Sequence, residues 1–259
     1  MPVNDELGKR MKKYEAVPQN SLMRRTPVAI RIDGRAFHTF THNLNKPWDD
    51  IFQKSMQFTM KYLCENVQGC VFGYQQSDEI TLILTDYETL VTDAWFDYEV
   101  QKLCSISASM ATLAFNQIFV SLADMWLYDY HEAWHTSEGD NRYAQTLEWC
   151  QQVGAMFDAR CFNIPKEEVV NLVYWRQVDA VRNSIQSMAQ ANFSHKQLNG
   201  KNTKQLREML DEINKSWEKV PIHQQRGVAC LKNEEDDWYI DKNMPILKGE
   251  DRDYLEKLI

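Results

Sequence analysis

A β-strand is predicted by the stretch Val28-Ala29-Ile30-Arg31-Ile32-Asp33-Gly34, in which β-branched residues alternate with other types. The β-branched residues would share one face of the strand and bury it. The opposite face would end in a carboxylate, Asp33, where Gly34 interrupts the pattern. The stretch therefore predicts a strand that carries an acid at its carboxyl end.

The segments that follow this strand predict the rest of the fold. Apolar residues recur at helical spacing in three further segments and form short strand-like runs in three others. The resulting order, strand, helix, strand, strand, helix, strand, is that of the ferredoxin-like fold, so the predicted fold class is α+β with a βαββαβ core. The predicted strands are 28–33, 70–74, 80–84 and 157–164, and the predicted helices are 49–64, 98–119 and 166–191.

The turn between the second and third predicted strands carries two acids, in the sequence Gln75-Gln76-Ser77-Asp78-Glu79. In the ferredoxin-like topology the first strand lies antiparallel to the third, about 5 Å away. We therefore expect Asp33 to meet Asp78 and Glu79 at one edge of the sheet. Such carboxylates suit divalent cations, two of which can promote phosphoryl transfer. The alternative, that the aspartates are turn residues bonded to the backbone, stays open at this point.

The composition is that of a globular protein. The 259 residues are 44% hydrophobic and 25% charged, which excludes wholesale disorder. No uninterrupted apolar run approaches the roughly 18 residues of a membrane span, and the charged start MPVNDELGKR predicts no signal peptide. The six cysteines form no CxxC pair, so we expect reduced thiols rather than a zinc ribbon. We therefore expect a cytoplasmic protein without a membrane partner.

The net charge of −8 is unevenly distributed along the chain. Residues 1–25 contain six basic and three acidic side chains, and residues 194–226 contain seven and four, whereas the middle of the chain is acidic. Clustered cations bind nucleic acids in a salt-sensitive way, although a solvated helix face has the same composition. The candidate RNA-binding residues are Lys9, Lys12, Lys13, Lys196, Lys201, Lys204 and Arg207.

The predicted first strand opens a series of short motifs. It continues as IRIDGRAFHTF, residues 30–40, and is followed by Lys46-Pro47. The other motifs are RMKKYE at 10–15, QSDE at 76–79, KLCSISAS at 102–109, FDAR at 157–160, WRQVD at 175–179 and QRGV at 225–228. In this order they resemble the motifs of the tRNA(His) guanylyltransferase family, the 3′-to-5′ polymerases. The resemblance spans most of the chain outside about 122–154.

This resemblance implies a polymerase-palm fold and a magnesium-dependent nucleotidyltransferase that uses ATP and GTP or other NTPs. Asp33 and Asp78 would hold two Mg²⁺ ions together with the Gly34 carbonyl, and Glu79 would support them. The residues that the resemblance assigns to binding nucleotide or RNA phosphates are Gly34, Arg35, Ala36, Phe37, His38, Lys46, Ser77, Asp78, Lys102, Ser105, Arg160 and Asn183.

The chain departs from the family pattern after WRQ. Where members that guanylylate tRNA(His) carry HINNLYN, this chain reads VRNSIQS at 181–187, and only Asn183 is clearly retained. The departure resembles the branch whose members repair 5′-truncated tRNAs. We therefore expect template-dependent 3′-to-5′ addition to the 5′ end of tRNA, through 5′-adenylylation and two-metal transfer. Addition to tRNA(His) stays open, and the family implies a homotetramer.

Three other functions are compatible with parts of the sequence. HEAWH at 131–135 is an HExxH motif, which on a helix would place His131 and His135 to bind zinc, with Glu132 as the base of a hydrolase. No third ligand follows at the metzincin spacing. A palm-type nucleotide cyclase would share the acids and need no RNA, and a tRNA-binding module would need no catalytic acids.

The expected organisation is a palm-like catalytic domain over residues 1–193 with a partly helical insertion at about 122–154. Residues 194–259 would form a basic helical hairpin, from 194 to 219, and a C-terminal segment packed on the same unit. Two short strands, at 227–231 and 238–240, would flank an acidic loop in this segment.

Overall fold

Six strands form one antiparallel sheet in the computed structural model, which describes residues 6–132 and 137–259. The strands are β1 (Val28–Gly34), β2 (Cys70–Gln76), β3 (Glu79–Leu84), β4 (Phe157–Asn163), β5 (Val228–Lys232) and β6 (Trp238–Asp241). Their order in the sheet is β4-β1-β3-β2-β5-β6, and every neighbouring pair is antiparallel. The first four strands have the ferredoxin-like order, which confirms the predicted α+β fold class. The two C-terminal strands extend the sheet beyond β2.

Helices cover both faces of this sheet. The core helices α3 and α4 pack on one face, and α6 packs on the other. The helices are α1 (Glu6–Ala16), α2 (Phe37–Phe40), α3 (Asp50–Asn66), α4 (Val100–Glu132), α5 (Glu138–Val153), α6 (Val169–Gln190), α7 (His195–Leu198), α8 (Thr203–Glu212), α9 (Ile222–Arg226) and α10 (Asp253–Glu256).

The alternation along β1 sorts its side chains between two separate cores. Ile30 and Ile32 are fully buried in the core that α3 and α4 close, whereas Ala29 is buried in the core beneath α6. Because successive strand residues point to opposite faces, the acid at the end of β1 shares the α6 side of the sheet with Ala29. The predicted strand is thus confirmed, with both of its faces covered.

A cluster of aromatic rings anchors the chain just after β1. Phe115 of α4 is fully buried, and five other rings lie with their centroids 5.5 to 6.1 Å from its own. Two of those rings belong to α2, which follows β1 directly. The five are Phe37, Phe40, Phe52, Phe119 and Phe157.

The segment expected as a partly helical insertion is almost wholly helical where the structure describes it. Helix α4 continues to Glu132, and α5 fills residues 138–153. Leu127 and Leu147 are buried, and the ring of Trp126 meets that of Tyr143 edge-on at 4.8 Å. The helices pack through large aromatic rings as well as aliphatic residues, which hides the usual 3.6-residue pattern.

Helix α4 is long and apolar enough, by length and composition, to cross a membrane, and it alone meets that test within 6–132 and 137–259. We expected no such segment because no uninterrupted apolar run is long enough: polar residues such as Ser105, Ser107 and Thr112 interrupt the run, while the apolar residues between them keep the average hydropathy high. Its inner face is buried against α3, β1 and β4, with Leu103, Ala111 and Phe119 at most 1% exposed. This packing identifies α4 as a core helix of the sheet.

Two other details differ from the prediction. The helical spacing of the apolar residues predicts that Val178 lies on the buried stripe of α6, but Val178 is 51% exposed, whereas Arg176 and Gln177 are buried. A buried guanidinium is tolerated there because carboxylates pair with it.

The expected basic hairpin is a single turn, α7, followed by the ten-residue α8. Leu206 and Leu210 of α8 are buried in a third core with α6, so only one face of the hairpin is solvated.

We predict that Phe115→Ala lowers the free energy of unfolding by about 3–5 kcal/mol, because it removes the ring that the other five contact. Leu113→Ala on the same helix is the matched control, since Leu113 is 56% exposed and its loss should cost about 0.5 kcal/mol or less. Urea unfolding followed by circular dichroism measures both. Equal costs for the two variants would contradict this account of the core.

Candidate active site

The structure brings together the acids that we expected to converge. Asp33 of β1 and Glu79 of β3 are directly opposite each other in the strand register, and Asp78 precedes Glu79 in the tight turn after β2. The Gly34 amide donates a hydrogen bond of 3.1 Å to the Asp78 carbonyl oxygen. The end of β1 is therefore held against the turn by the backbone, independently of the acidic side chains.

Asp33 and Asp78 form the negatively charged part of this edge. Burial, together with the nearby charge of Asp33, raises the pKa of Asp78 above its ordinary value. A cation bound beside the two carboxylates would counteract both the burial of Asp78 and its repulsion by Asp33. The donor set of two carboxylates and the Gly34 carbonyl fits Mg²⁺, which takes one or two carboxylates and completes its shell with water and phosphate oxygens. The described residues hold no cluster of three or more His, Cys, Asp or Glu side chains that could bind a metal by themselves.

Glu79 has a partner of its own. Arg176 of α6 donates to both of its carboxylate oxygens, at 2.6 and 2.8 Å, and also to Asp179 at 2.9 Å. Burial raises the pKa of Glu79, while the charge of Arg176 opposes that shift. Because Arg176 donates to both oxygens, Glu79 lies beside the acid pair as a neighbour whose charge is balanced within the fold.

The contact of Arg176 with the strand edge was not predicted from the sequence. Its guanidinium carbon lies 4.6 Å from the ring centre of Trp175, and the side chain is buried. The available signal was the i, i+3 spacing of Arg176 and Asp179 on one helix face. That spacing identifies an ion pair within α6, but it does not show that the pair reaches a strand edge.

The turn after β1 depends on backbone geometry that few residues accept. A Cβ atom on Gly34 would lie 2.2 Å from the ring of Phe37, so no larger residue fits there. Ala36, in this turn, adopts the left-handed region with a φ of 56°, and Ser77, in the turn after β2, does so with a φ of 50°. Phe37 is only 3% exposed, so it forms a wall beneath the turn.

A cavity of about 360 Å³ adjoins the Asp78 carboxylate. This volume lies within the range of small-molecule binding sites. One wall consists of the turn after β1 and the start of α3, and the facing wall consists of α6 and α9. Of the residues assigned to nucleotide binding, those that line the cavity are Phe37, His38, Lys46, Ser77, Asp78 and Asn183.

Lys46 supplies positive charge on the cavity wall. Its ammonium group donates to the Thr41 carbonyl at 2.8 Å, which holds the long side chain in place. Burial lowers the pKa of Lys46, with Asp49 opposing the shift. The partly desolvated ammonium gains most from an anion placed beside it, as a triphosphate would be.

The remaining assigned residues do not line the cavity. Lys102 pairs with Glu99 at 3.1 Å near the start of α4, and Arg160 pairs with Asp158 at 3.4 Å on β4. Both lie on the β4 side of β1, away from the wall formed by α6 and α9. The residues outside the cavity lining are Gly34, Arg35, Ala36, Lys102, Ser105 and Arg160.

The candidate RNA-binding cations lie on two separate parts of the surface. Helix α1 has no buried residue, so its lysines Lys9, Lys12 and Lys13 face solvent. Lys196, Lys201 and Lys204 are exposed on α7, on α8 and between them. Arg207 is held by Glu218 and lies 5.2 Å from the ring of Trp217, so it stabilises the hairpin and is less free to contact RNA.

The HExxH motif falls only partly within the described residues. His131 and Glu132 are exposed at the end of α4. His135, the second histidine of the motif, belongs to residues 133–136, which lie outside the described ranges. The structure therefore offers no geometry for the zinc hypothesis.

Comparison with known proteins identifies relatives of the chain. A sequence model of the tRNAHis guanylyltransferase family matches residues 8–165. An uncharacterized protein of Acanthamoeba polyphaga mimivirus is 32% identical over 242 residues, which cover 89% of this chain and 78% of that protein. A probable tRNA(His) guanylyltransferase of Dictyostelium discoideum is 25% identical over 180 residues, and the match spans 67% of this chain and 59% of that protein.

Two solved structures of similar proteins contain nucleotides. A bacterial tRNA(His) guanylyltransferase-like protein in complex with ATP matches with a TM-score of 0.84 and 37% identity, over 98% of this chain and 99% of that one. A complex of such a protein with GTP matches with a TM-score of 0.77 and 34% identity, with the same coverage. The likeness therefore includes the C-terminal part that the family model leaves out.

We predict that Arg176→Ala lowers the free energy of unfolding by about 3–5 kcal/mol, because it leaves the Glu79 carboxylate buried without its partner. The double variant Glu79→Leu, Arg176→Leu should recover much of that loss. Arg182→Ala, which removes an exposed arginine from the same helix, should cost about 1 kcal/mol or less. Urea denaturation of the four proteins tests this. A double variant as unstable as Arg176→Ala would contradict it.

Proposed function

Because the chain belongs to the tRNA(His) guanylyltransferase family and is a nucleotidyltransferase, we propose that it adds nucleotides to the 5′ end of tRNA in the 3′-to-5′ direction. The observation that carries this proposal is that Asp33 lies close to Asp78, and that Asp78 lines a nucleotide-sized cavity. The chemistry of such an edge is phosphoryl transfer, in which positioning and charge neutralisation provide most of the catalysis.

The proposed substrates of the cavity are ATP and GTP. The support is the pair of similar bacterial proteins whose structures contain these nucleotides. In this chain, Lys46 would pair with the triphosphate, and the Ser77 hydroxyl and the turn that ends at His38 would enclose it. All three residues line the cavity next to Asp78.

The proposed metal site consists of Asp33, Asp78 and the Gly34 carbonyl. Two Mg²⁺ ions bound there would lower the pKa of an attacking hydroxyl and neutralise the leaving phosphate. The raised pKa of Asp78 supports this assignment, because its causes, burial and the nearby charge of Asp33, are both ones that a bound cation would counteract. Glu79, paired with Arg176, would keep the edge in place without binding an ion directly.

The proposed reaction has two steps. First, the 5′ monophosphate of the RNA attacks the α-phosphorus of ATP and releases pyrophosphate, which leaves an adenylylated 5′ end. The 3′-hydroxyl of an incoming NTP then attacks that activated 5′ phosphate and releases AMP. An RNA with a 5′ triphosphate would skip the first step and release pyrophosphate in the second. Lys46 would hold the triphosphate for attack.

Repair of 5′-truncated tRNA is the form of this activity that we favour. The support is the segment 181–187, which departs from the family motif of enzymes that guanylylate tRNA(His). It lies within α6, where Asn183, Ser184 and Ser187 line the cavity. The exposed lysines of α1, α7 and α8 are the proposed tRNA contacts, and we propose a homotetramer that acts in the cytoplasm.

We expect Asp33→Asn and Asp78→Asn each to reduce the rate of nucleotide addition by roughly 10²–10³-fold, because each removes a carboxylate that would hold the cations that neutralise the transferring phosphate. Glu65→Gln is the control, since Glu65 is an acid of α3 whose partner is Lys61, not a residue of the site. Thermal unfolding should show all three variants folded. Near-normal addition by either aspartate variant would contradict the metal assignment.

The most direct test incubates a labelled, 5′-truncated tRNA with the protein, ATP, the four NTPs and Mg²⁺. We expect the 5′ end to lengthen with bases complementary to the opposite strand. Conversion of free NTP without tRNA would instead indicate a nucleotide cyclase. Binding of tRNA without any chemistry, unchanged by loss of both aspartates, would indicate a binding module.

A further inference from the structure

Two glutamine side chains on the cavity wall form a hydrogen-bonded amide pair. Gln224 of α9 donates from Nε2 to Oε1 of Gln53 on α3, at 3.2 Å. Both residues are half-buried and both line the cavity. Gln224 lies beyond residue 165, where the match to the family model ends.

A pair of this kind presents one donor and one acceptor to a third group. With Gln224 donating, the amide NH₂ of Gln53 and the carbonyl of Gln224 are the groups not used between the two residues. If both amides rotate by half a turn, Gln53 donates to Gln224 and the two unused groups exchange character. The backbone need not move, and the pair keeps one internal hydrogen bond in either state.

Adenine and guanine differ by this same exchange. Adenine presents a donor at N6 and an acceptor at N1, whereas guanine presents an acceptor at O6 and a donor at N1. We propose that the Gln53–Gln224 pair reads the nucleobase, binding adenine in one orientation and guanine in the other. One cavity would then accept ATP and GTP in the same pose. This inference rests on the proposed function, because it takes the cavity to be the nucleotide site.

Four other polar side chains of the wall are less suited to this role. Gln75 donates to the Ser77 carbonyl at 2.8 Å, so reversing its amide would break that bond. The Asp49 carboxylate accepts from the Phe52 amide at 2.9 Å and from the Tyr143 hydroxyl at 2.6 Å. Lys46 and Asp78 carry charges that suit phosphate and cations. The neutral amide pair matches the uncharged edge of a purine.

The test is the double variant Gln53→Glu, Gln224→Met, compared with the single variant Gln224→Met in equilibrium binding of non-hydrolysable ATP and GTP analogues in Mg²⁺; Gln224 is removed because a carboxylate at position 53 would hold its amide in one orientation. A carboxylate only accepts hydrogen bonds, so it matches the N1–H of guanine and repels the bare N1 of adenine. We expect the ratio of the two Kd values to shift about tenfold towards GTP. Gln68→Glu, outside the cavity, is the matched control and should leave the ratio unchanged.

The single variant Gln224→Met removes one of the two groups that would meet the base and should weaken both nucleotides by similar factors. A Kd ratio that the double variant leaves within twofold of Gln224→Met would overturn the proposal, as would a wild-type protein that binds one purine more than 30-fold tighter. Binding is measured without tRNA. Failure to extend a tRNA would therefore count against the proposed function alone.

Discussion

The antiparallel pairing of β1 with β3 is the constraint on which the site depends. A slip of one residue along β1 would turn Ile30 and Ile32 out of the core and every polar side chain of the strand into it. Because both isoleucines are fully buried, the core enforces the register, and the register sets Asp33 opposite Glu79. The position of the carboxylates thus follows from apolar packing several residues away.

The charges at this edge are divided between two roles. Glu79 is buried and fully paired by Arg176, so its charge is offset within the fold. Among the residues that the structure describes, no basic side chain pairs with Asp33 or Asp78, and burial together with the charge of Asp33 raises the pKa of Asp78. Buried like charges are unfavourable unless a cation joins them, and perturbed acids of this kind cluster at functional sites. The fold therefore places two neighbouring carboxylates, Asp33 and Asp78, where a cation is proposed to bind.

The cavity is assembled from parts of the chain that are far apart in sequence. The strand-edge acids and the turn after β1 lie within the region that the family model matches, residues 8–165. The facing wall comes from α6 and α9, beyond that region. The N-terminal part therefore provides the proposed catalytic groups, while the C-terminal part closes the space in which a nucleotide is proposed to bind. The solved nucleotide complexes match over both parts.

The sequence by itself determined the strand order, the fold class and the meeting of Asp33 with Asp78, because alternation and element order are local patterns that imply one topology. It did not show that the described parts of 122–154 are almost wholly helical, since aromatic packing hides the period there. Only the tertiary structure decided which assigned residues line the cavity and placed Lys102 and Arg160 elsewhere. It also revealed the Arg176–Glu79 and Gln53–Gln224 pairs, which join residues 97 and 171 positions apart. No local pattern encodes such contacts, because they exist only once the sheet has brought distant helices together.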